Sequence, residues 1–172
     1  DKLSGFIDHL RREYRVVGPV SKGKIVTFAE IESTDQLHLD YITTMVPPKK
    51  FLLPQKETVL KFKFEDGKAS VIEVHPDGKT VLFGLHPCDI NAIKVLDKIL
   101  LEGEFKDPYY DYYRKNTGII GLNCNKAGEY CFCTSFGTGP AAKDGYDLLL
   151  TDLGDKFLVE IGTDIGKKII EG

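Results

Sequence analysis

Four cysteines, Cys88, Cys124, Cys131 and Cys133, are the residues of this chain best equipped for chemistry. Thiolates ligate soft metals, form redox pairs and act as nucleophiles. Four of them suffice for one tetrathiolate site, filled by zinc or by an iron–sulfur cluster. The chain has 172 residues and opens on the charged segment Asp1–Tyr14, with no signal-peptide core. Four cysteines are too few for a disulfide framework there and point to a reducing, cytoplasmic setting. The pattern is Cys124-x6-Cys131-x1-Cys133 plus a remote Cys88. It is neither the paired knuckle of structural zinc nor the ferredoxin run. Three readings stand at this point: a shared metal site, a metal-free redox pair, or small buried apolar side chains. A reactive-cysteine enzyme is a further reading, but no general base is evident beside Cys131 or Cys133.

The elements that must position these thiols follow from periodicity. Thr80–Leu85 reads as a strand, and a helical face of Ile90, Ile93, Leu96, Ile99 and Leu100 follows His86-Pro87. Asp89 is the expected N-cap and Gly103 the expected stop. Asp107-Pro108 opens a second, tyrosine-rich helix, and Thr117–Leu122 reads as a buried strand. Together these make a β-α-β unit, whose crossover is long enough to join parallel strands. Cys88 then lies three residues beyond one strand and Cys124 two beyond the other. Both emerge at the carboxyl edge, where open α/β sheets place ligands. The Gly- and Asn-containing loop 123–140 can fold Cys131 and Cys133 back to the same spot.

Elsewhere the spacing predicts a helix over 4–14 with Ser4 as its cap. Strands are predicted at Arg15–Val20 and Lys24–Phe28, then at Thr58–Phe64 and Ala69–Val74. Residues 29–46 are ambiguous, although Leu37–Tyr41 alternates like a strand. Lys49–Leu53, between prolines, reads as extended. Asp147–Thr151 and Lys156–Ile161 form a hairpin, and a short helix follows Thr163. The expected fold is α/β, with α+β as the variant: a mixed sheet with a central β-α-β unit, flanking β-hairpins and a Cys-rich loop at the carboxyl edge.

Composition narrows the partners. Twenty-three basic residues face 26 acidic ones, so no basic excess suggests nucleic acid or an anionic membrane. No apolar run reaches the ~20 residues that span a bilayer. A chain this long buries about 70% of its unfolded surface and needs no metal merely to hold a core. His86 is either a ligand or part of the turn before the helix, and His9, His38 and His75 are scattered. Gly137-Thr138-Gly139-Pro140 lacks the Lys-Ser/Thr pair of a phosphate loop. Tyr109, Tyr110, Tyr112 and Tyr113 read as helical core and rim.

Four stretches carry a family resemblance. They are Pro47–Pro54 with Glu57-Thr58; Gly84-Leu85-His86-Pro87-Cys88-Asp89; Asn123-Cys124; and Cys131-Phe132-Cys133-Thr134-Ser135-Phe136-Gly137-Thr138-Gly139-Pro140. They resemble the N-terminal domain of the beta subunit of cytosolic hydrogenase/sulfur reductase complexes, and the related subunit of anaerobic sulfite reductase is similar. The likeness continues through Tyr146–Gly154. It implies an electron-transfer subunit of anaerobic metabolism, relaying electrons between two partners: one that binds flavin/NAD(P), and a catalytic hydrogenase or reductase subunit. In that family a ferredoxin-like module with two 4Fe–4S clusters comes next, whereas this sequence stops at Gly172. Residues 1–172 are therefore expected to be a single iron–sulfur electron-transfer domain, a fragment of a longer subunit. Cys88, Cys124, Cys131 and Cys133 are expected to bind one 4Fe–4S cluster. The alternative is a zinc-stabilised docking module without a redox role.

Overall fold

The computed structural model describes residues 2–75 and 77–171. Its elements are α1 (Lys2–Leu10), β1 (Tyr14–Lys22), β2 (Ile25–Glu30), β3 (Leu60–Glu65), β4 (Lys68–Glu73), β5 (Lys79–Leu85), α2 (Pro87–Leu101), α3 (Pro108–Lys115), β6 (Thr117–Leu122), β7 (Leu148–Asp152), β8 (Phe157–Ile161) and α4 (Asp164–Glu171). Six strands form one mixed sheet in the order β2-β1-β5-β6-β7-β8, while β3 and β4 pair only with each other. The central pairs β1–β5, β5–β6 and β6–β7 are parallel, and the edge strands β2 and β8 run antiparallel to their neighbours. This is the mixed α/β fold with the central β-α-β unit and flanking hairpins that the periodicity implies.

Burial explains the parallel core. All six residues of β6 are buried, as are the last five of β5. Such continuous apolar strands need cover on both faces. One face carries Val81 and Phe83 of β5 with Ile120 of β6, packed with Ile7 and Leu10 of α1 and Ile169 of α4. The other carries Leu82 and Ile119, packed with Ile90 and Ile93 of α2 and Tyr110 of α3. Each such side chain contributes roughly 1.5–3 kcal/mol on burial.

Several local expectations give way to tertiary contacts. Helix α1 starts before Ser4, so Ser4 lies inside it, and Tyr14 begins β1 instead of ending the helix. His86, not Asp89, caps α2, because Pro87 already supplies the first helical residue; Ile99 faces solvent. Asp107 does cap α3, accepting from the N–H groups of Tyr109 and Tyr110. Pro48–Phe51 is a 3-10 turn and not an extended segment, because Pro48 and Leu52 turn inward to be buried. Leu37–Tyr41 makes no strand beyond a lone bridge from Leu37 to Val20. Of the turn His75–Lys79, Pro76 lies outside the described residues.

Asp147 ties the far side of the sheet together. Its buried carboxylate accepts from Ile119 N at 2.7 Å and from Thr163 Oγ1 at 2.5 Å. Its carbonyl accepts from Gly162 N at 2.8 Å. Asp147→Ala orphans the buried N–H of Ile119 and frees the exposed Thr163 hydroxyl, and is expected to cost about 1–3 kcal/mol in urea unfolding. Helix α4 rests so closely on this strand that a Cβ on Gly166 would overlap the carbonyl oxygen of Asp147. A helix-interior Gly→Ala change normally gains about 0.5–1 kcal/mol. Here Gly166→Ala is expected to lower the urea midpoint instead.

Candidate metal centre

The route to Cys88 begins with a break in β5. The register with β6 shifts between Phe83 and Leu85, and Gly84 sits at φ +76, a bulge that re-aims the chain. Side chains other than glycine rarely adopt that conformation. Two residues later His86 starts α2, and Cys88 stands in its first turn. Cys124 follows β6, its N–H donating to the carbonyl of Pro140 at 3.1 Å. That bond folds the loop back over itself. Cys131 lies in the loop, its sulfur accepting from Gly128 N at 3.2 Å, and Cys133 opens a 3-10 turn (Cys133–Phe136).

Parallel pairing of β5 with β6 brings Cys88 and Cys124 to one edge, and the loop returns Cys131 and Cys133 to it. The thiols feel one another there. Burial pushes Cys124 up to about 12, reinforced by the charges of Cys88, Cys133, Cys131 and Asp89. Burial likewise pushes Cys88 up to about 11, with Asp89 and then Cys133 adding to it. Cys88 keeps one side open to solvent, while protein covers the other. Asp89 is itself raised to about 6 by burial, against the opposing pull of Lys49. The loop closes tightly on the sulfurs. A Cβ on Gly139 would stand 2.6 Å from Cys133 Sγ, and one on Gly128 would stand 3.5 Å from Cys131 Sγ.

The donor set suits a thiolate-bound group: four thiols on one sheet edge, with glycines at the points of closest approach. Among the described residues, no three His, Cys, Asp or Glu side chains are grouped closely enough to hold a metal ion. Cys124 lies within electrostatic reach of Cys88, Cys131 and Cys133, and Cys88 within reach of Cys133.

His86 is buried and stacks on Tyr41, with ring centroids 4.0 Å apart and planes 6° apart. Burial lowers it to about 4, so it is a neutral structural ring at physiological pH. His9, His38 and His75 join no such group, although His75 stacks on Tyr112 on the hairpin side. Tyr110 is core, its hydroxyl donating to Asp97, which also accepts from Arg114. Tyr109 and Tyr113 donate to Val59 O and Glu57, holding the base of the β3–β4 hairpin. Sequence periodicity does not single out Asp40, Tyr41 or Ile42, yet all three lie against the cysteine region. Asp40 pairs with Lys126, and Ile42 Cγ2 lies 2.7 Å from where a Cβ on Gly128 would stand. Their one visible signal is the alternation of Leu37–Tyr41. A cavity of about 40 Å³ between Tyr41, His86, Cys124 and Lys126 has room for about a water, not a substrate.

The chain is 44% identical over 165 residues to sulfhydrogenase 2 subunit beta of Pyrococcus furiosus. This similarity supports the hydrogenase beta-subunit family. It covers 96% of the chain and 47% of that protein, so the chain spans about half the relative's length. No family model matches the chain, and no solved structure matches it at a significant level. Among the described residues, no helix is long and apolar enough to cross a membrane.

The thiolate is the species that alkylates. With Cys88 and Cys124 held up at about 11 and about 12, both should react slowly with iodoacetamide at neutral pH in the metal-free folded protein. Their rates should climb about tenfold per pH unit beyond pH 9, whereas in the urea-unfolded chain they level off near ~8.5. Residue-resolved mass spectrometry of the alkylated protein reads both curves.

Proposed function

We propose that this chain is the electron-transfer part of a hydrogenase or sulfur reductase complex, and that Cys88, Cys124, Cys131 and Cys133 hold one 4Fe–4S cluster. The observation that carries the reading is the parallel pairing of β5 with β6, which ends both cysteine-bearing strands at one sheet edge, with the loop of Cys131 and Cys133 folded back there by the Cys124 N–H to Pro140 carbonyl bond. The sequence pattern Cys124-x6-Cys131-x1-Cys133 supports a cluster over zinc, because it lacks the paired knuckle of structural zinc sites. A zinc ion at about 2.3 Å from each sulfur draws four sulfurs to about 3.8 Å of one another. A cube of iron and sulfide is wider and spreads its thiolates. The bound cluster supplies a one-electron carrier. The chain's part is to hold four thiolates, to pack loop backbone against the sulfurs, and to limit water through the apolar ends of β5 and β6.

The partners in this reading are two, in the cytoplasm of an anaerobe: one that binds flavin/NAD(P), and a catalytic hydrogenase or reductase subunit. The resemblance of the Cys-Phe-Cys and Gly84–Asp89 motifs supports it, and so does a relative named as a sulfhydrogenase subunit. Neither terminal catalysis nor flavin binding is assigned to residues 1–172.

Anaerobic isolation is expected to yield about four iron and about four sulfide per chain, a broad visible charge-transfer band, and an EPR signal on reduction. Any one of the four Cys→Ser substitutions should remove most of the iron. One zinc per chain from anaerobically prepared protein, with no sulfide, would replace the cluster reading by the docking-module reading.

A further inference from the structure

Tyr41 has no part in thiolate ligation, yet its side chain is almost fully buried beside the cysteine region. It lies in a segment, 38–45, that is pinned at both ends to the β1–β2 hairpin. His38 N donates to Pro19 O, and Met45 N donates to Val26 O, each at 2.8 Å. Between those pins the segment crosses the edge of the sheet. Tyr41 donates its hydroxyl to the carbonyl of Gly84 at 2.8 Å, at the bulge that aims the chain toward Cys88. The His86 ring stacks on Tyr41. Phe28 of β2 closes the other side, edge-on to Tyr41 at 6.1 Å.

The same segment grips the second cysteine-bearing element. Asp40 accepts from Lys126 Nζ at 2.8 and 3.0 Å, two residues after Cys124. Ile42 occupies the space that a side chain at position 128 would need, and Gly128 N holds the sulfur of Cys131. One short stretch therefore touches the turn that carries Cys88 on one side and the loop that carries Cys124 and Cys131 on the other.

We infer that residues 38–45 are a strap that sets the position of Cys88 relative to the loop cysteines, with Tyr41 as the positioning residue. The inference rests on the four thiols forming one site, but not on which metal fills it. The buried grip through Tyr41 dominates, because the exposed Asp40–Lys126 pair is worth little on its own. Without the hydroxyl, the carbonyl of Gly84 loses a buried partner, and the bulge is free to shift against the loop.

The test uses the full chain, isolated anaerobically, reduced and stripped of metal. The probe is dibromobimane, a bifunctional reagent that fluoresces when both arms have displaced bromide onto two thiolates. One background, Cys131→Ser with Cys133→Ser, leaves Cys88 and Cys124. The other, Cys88→Ser with Cys124→Ser, leaves Cys131 and Cys133. Tyr41→Phe keeps the stacked ring and removes only the hydroxyl. It is expected to slow cross-linking of Cys88 to Cys124 about fivefold, the population change that goes with one buried hydrogen bond. The Cys131–Cys133 pair should be unaffected. Equal rates with and without the hydroxyl overturn the strap, and so does a parallel fall in both pairs. Absence of any Cys88–Cys124 cross-link with Tyr41 intact overturns the one-site reading, and the strap with it. If circular dichroism shows that Tyr41→Phe does not fold, Ile42→Ala serves in the same comparison, since Ile42 is 46% exposed. The same selective slowing is expected of it.

Discussion

Parallel pairing of β5 with β6 is the constraint from which the rest of the site follows. Two parallel strands finish at the same edge, so what comes after each is brought together however far apart it lies in sequence. Cys88 and Cys124 are joined in this way across α2 and α3. The pairing in turn depends on burial of both strand faces. Val81 and Phe83 point toward α1 and α4, and Leu82 and Ile119 toward α2 and α3. A sheet open to solvent on one side would not hold such strands together.

In the metal-free chain Cys88 and Cys124 are neutral thiols at physiological pH. Burial and neighbouring negative charge both favour the protonated form, and this is why Cys88 and Cys124 are held up. A cationic metal or an iron–sulfur core reverses that balance by replacing protons with stronger partners. The surrounding chain is arranged for close approach: glycines stand at 128 and 139 against the two loop sulfurs, and Cys88 sits in the first turn of a helix. There the backbone dipole favours a thiolate, partly offsetting the burial.

The two ends of the sheet do different work. The carboxyl edge holds the cysteines, the Gly84 bulge and the crossing segment with Tyr41. On the other side of the β5–α2 junction, the tyrosine-rich helix α3 is committed to structure: Tyr110 to Asp97, Tyr109 and Tyr113 to the chain entering the β3–β4 hairpin. That hairpin is exposed along all of both strands and, among the described residues, pairs with no other strand. Its tie to α3 is what keeps it against the domain.

Much of this was legible in the order of residues. The change of apolar period at His86-Pro87, the Asp107-Pro108 start and the unbroken apolar run Thr117–Leu122 define the β-α-β unit. A parallel crossover needs little else, so the shared edge for Cys88 and Cys124 could be read from strand ends alone. Local signals failed where a distant contact outweighed them. Lys49–Leu53 turns because Pro48 and Leu52 are buried, and Leu37–Tyr41 is diverted from strand to strap because Tyr41 finds Gly84 and His86. The sequence by itself determined which four side chains could ligate and which strands would deliver them, because residue type and apolar period are local properties. Only the tertiary structure decided that Tyr41 grips the bulge before Cys88, that His86 is a stacked neutral ring, and how strongly the thiols act on one another. Those depend on contacts between segments remote in sequence, Tyr41 and Gly84 being 43 residues apart, which no local pattern encodes.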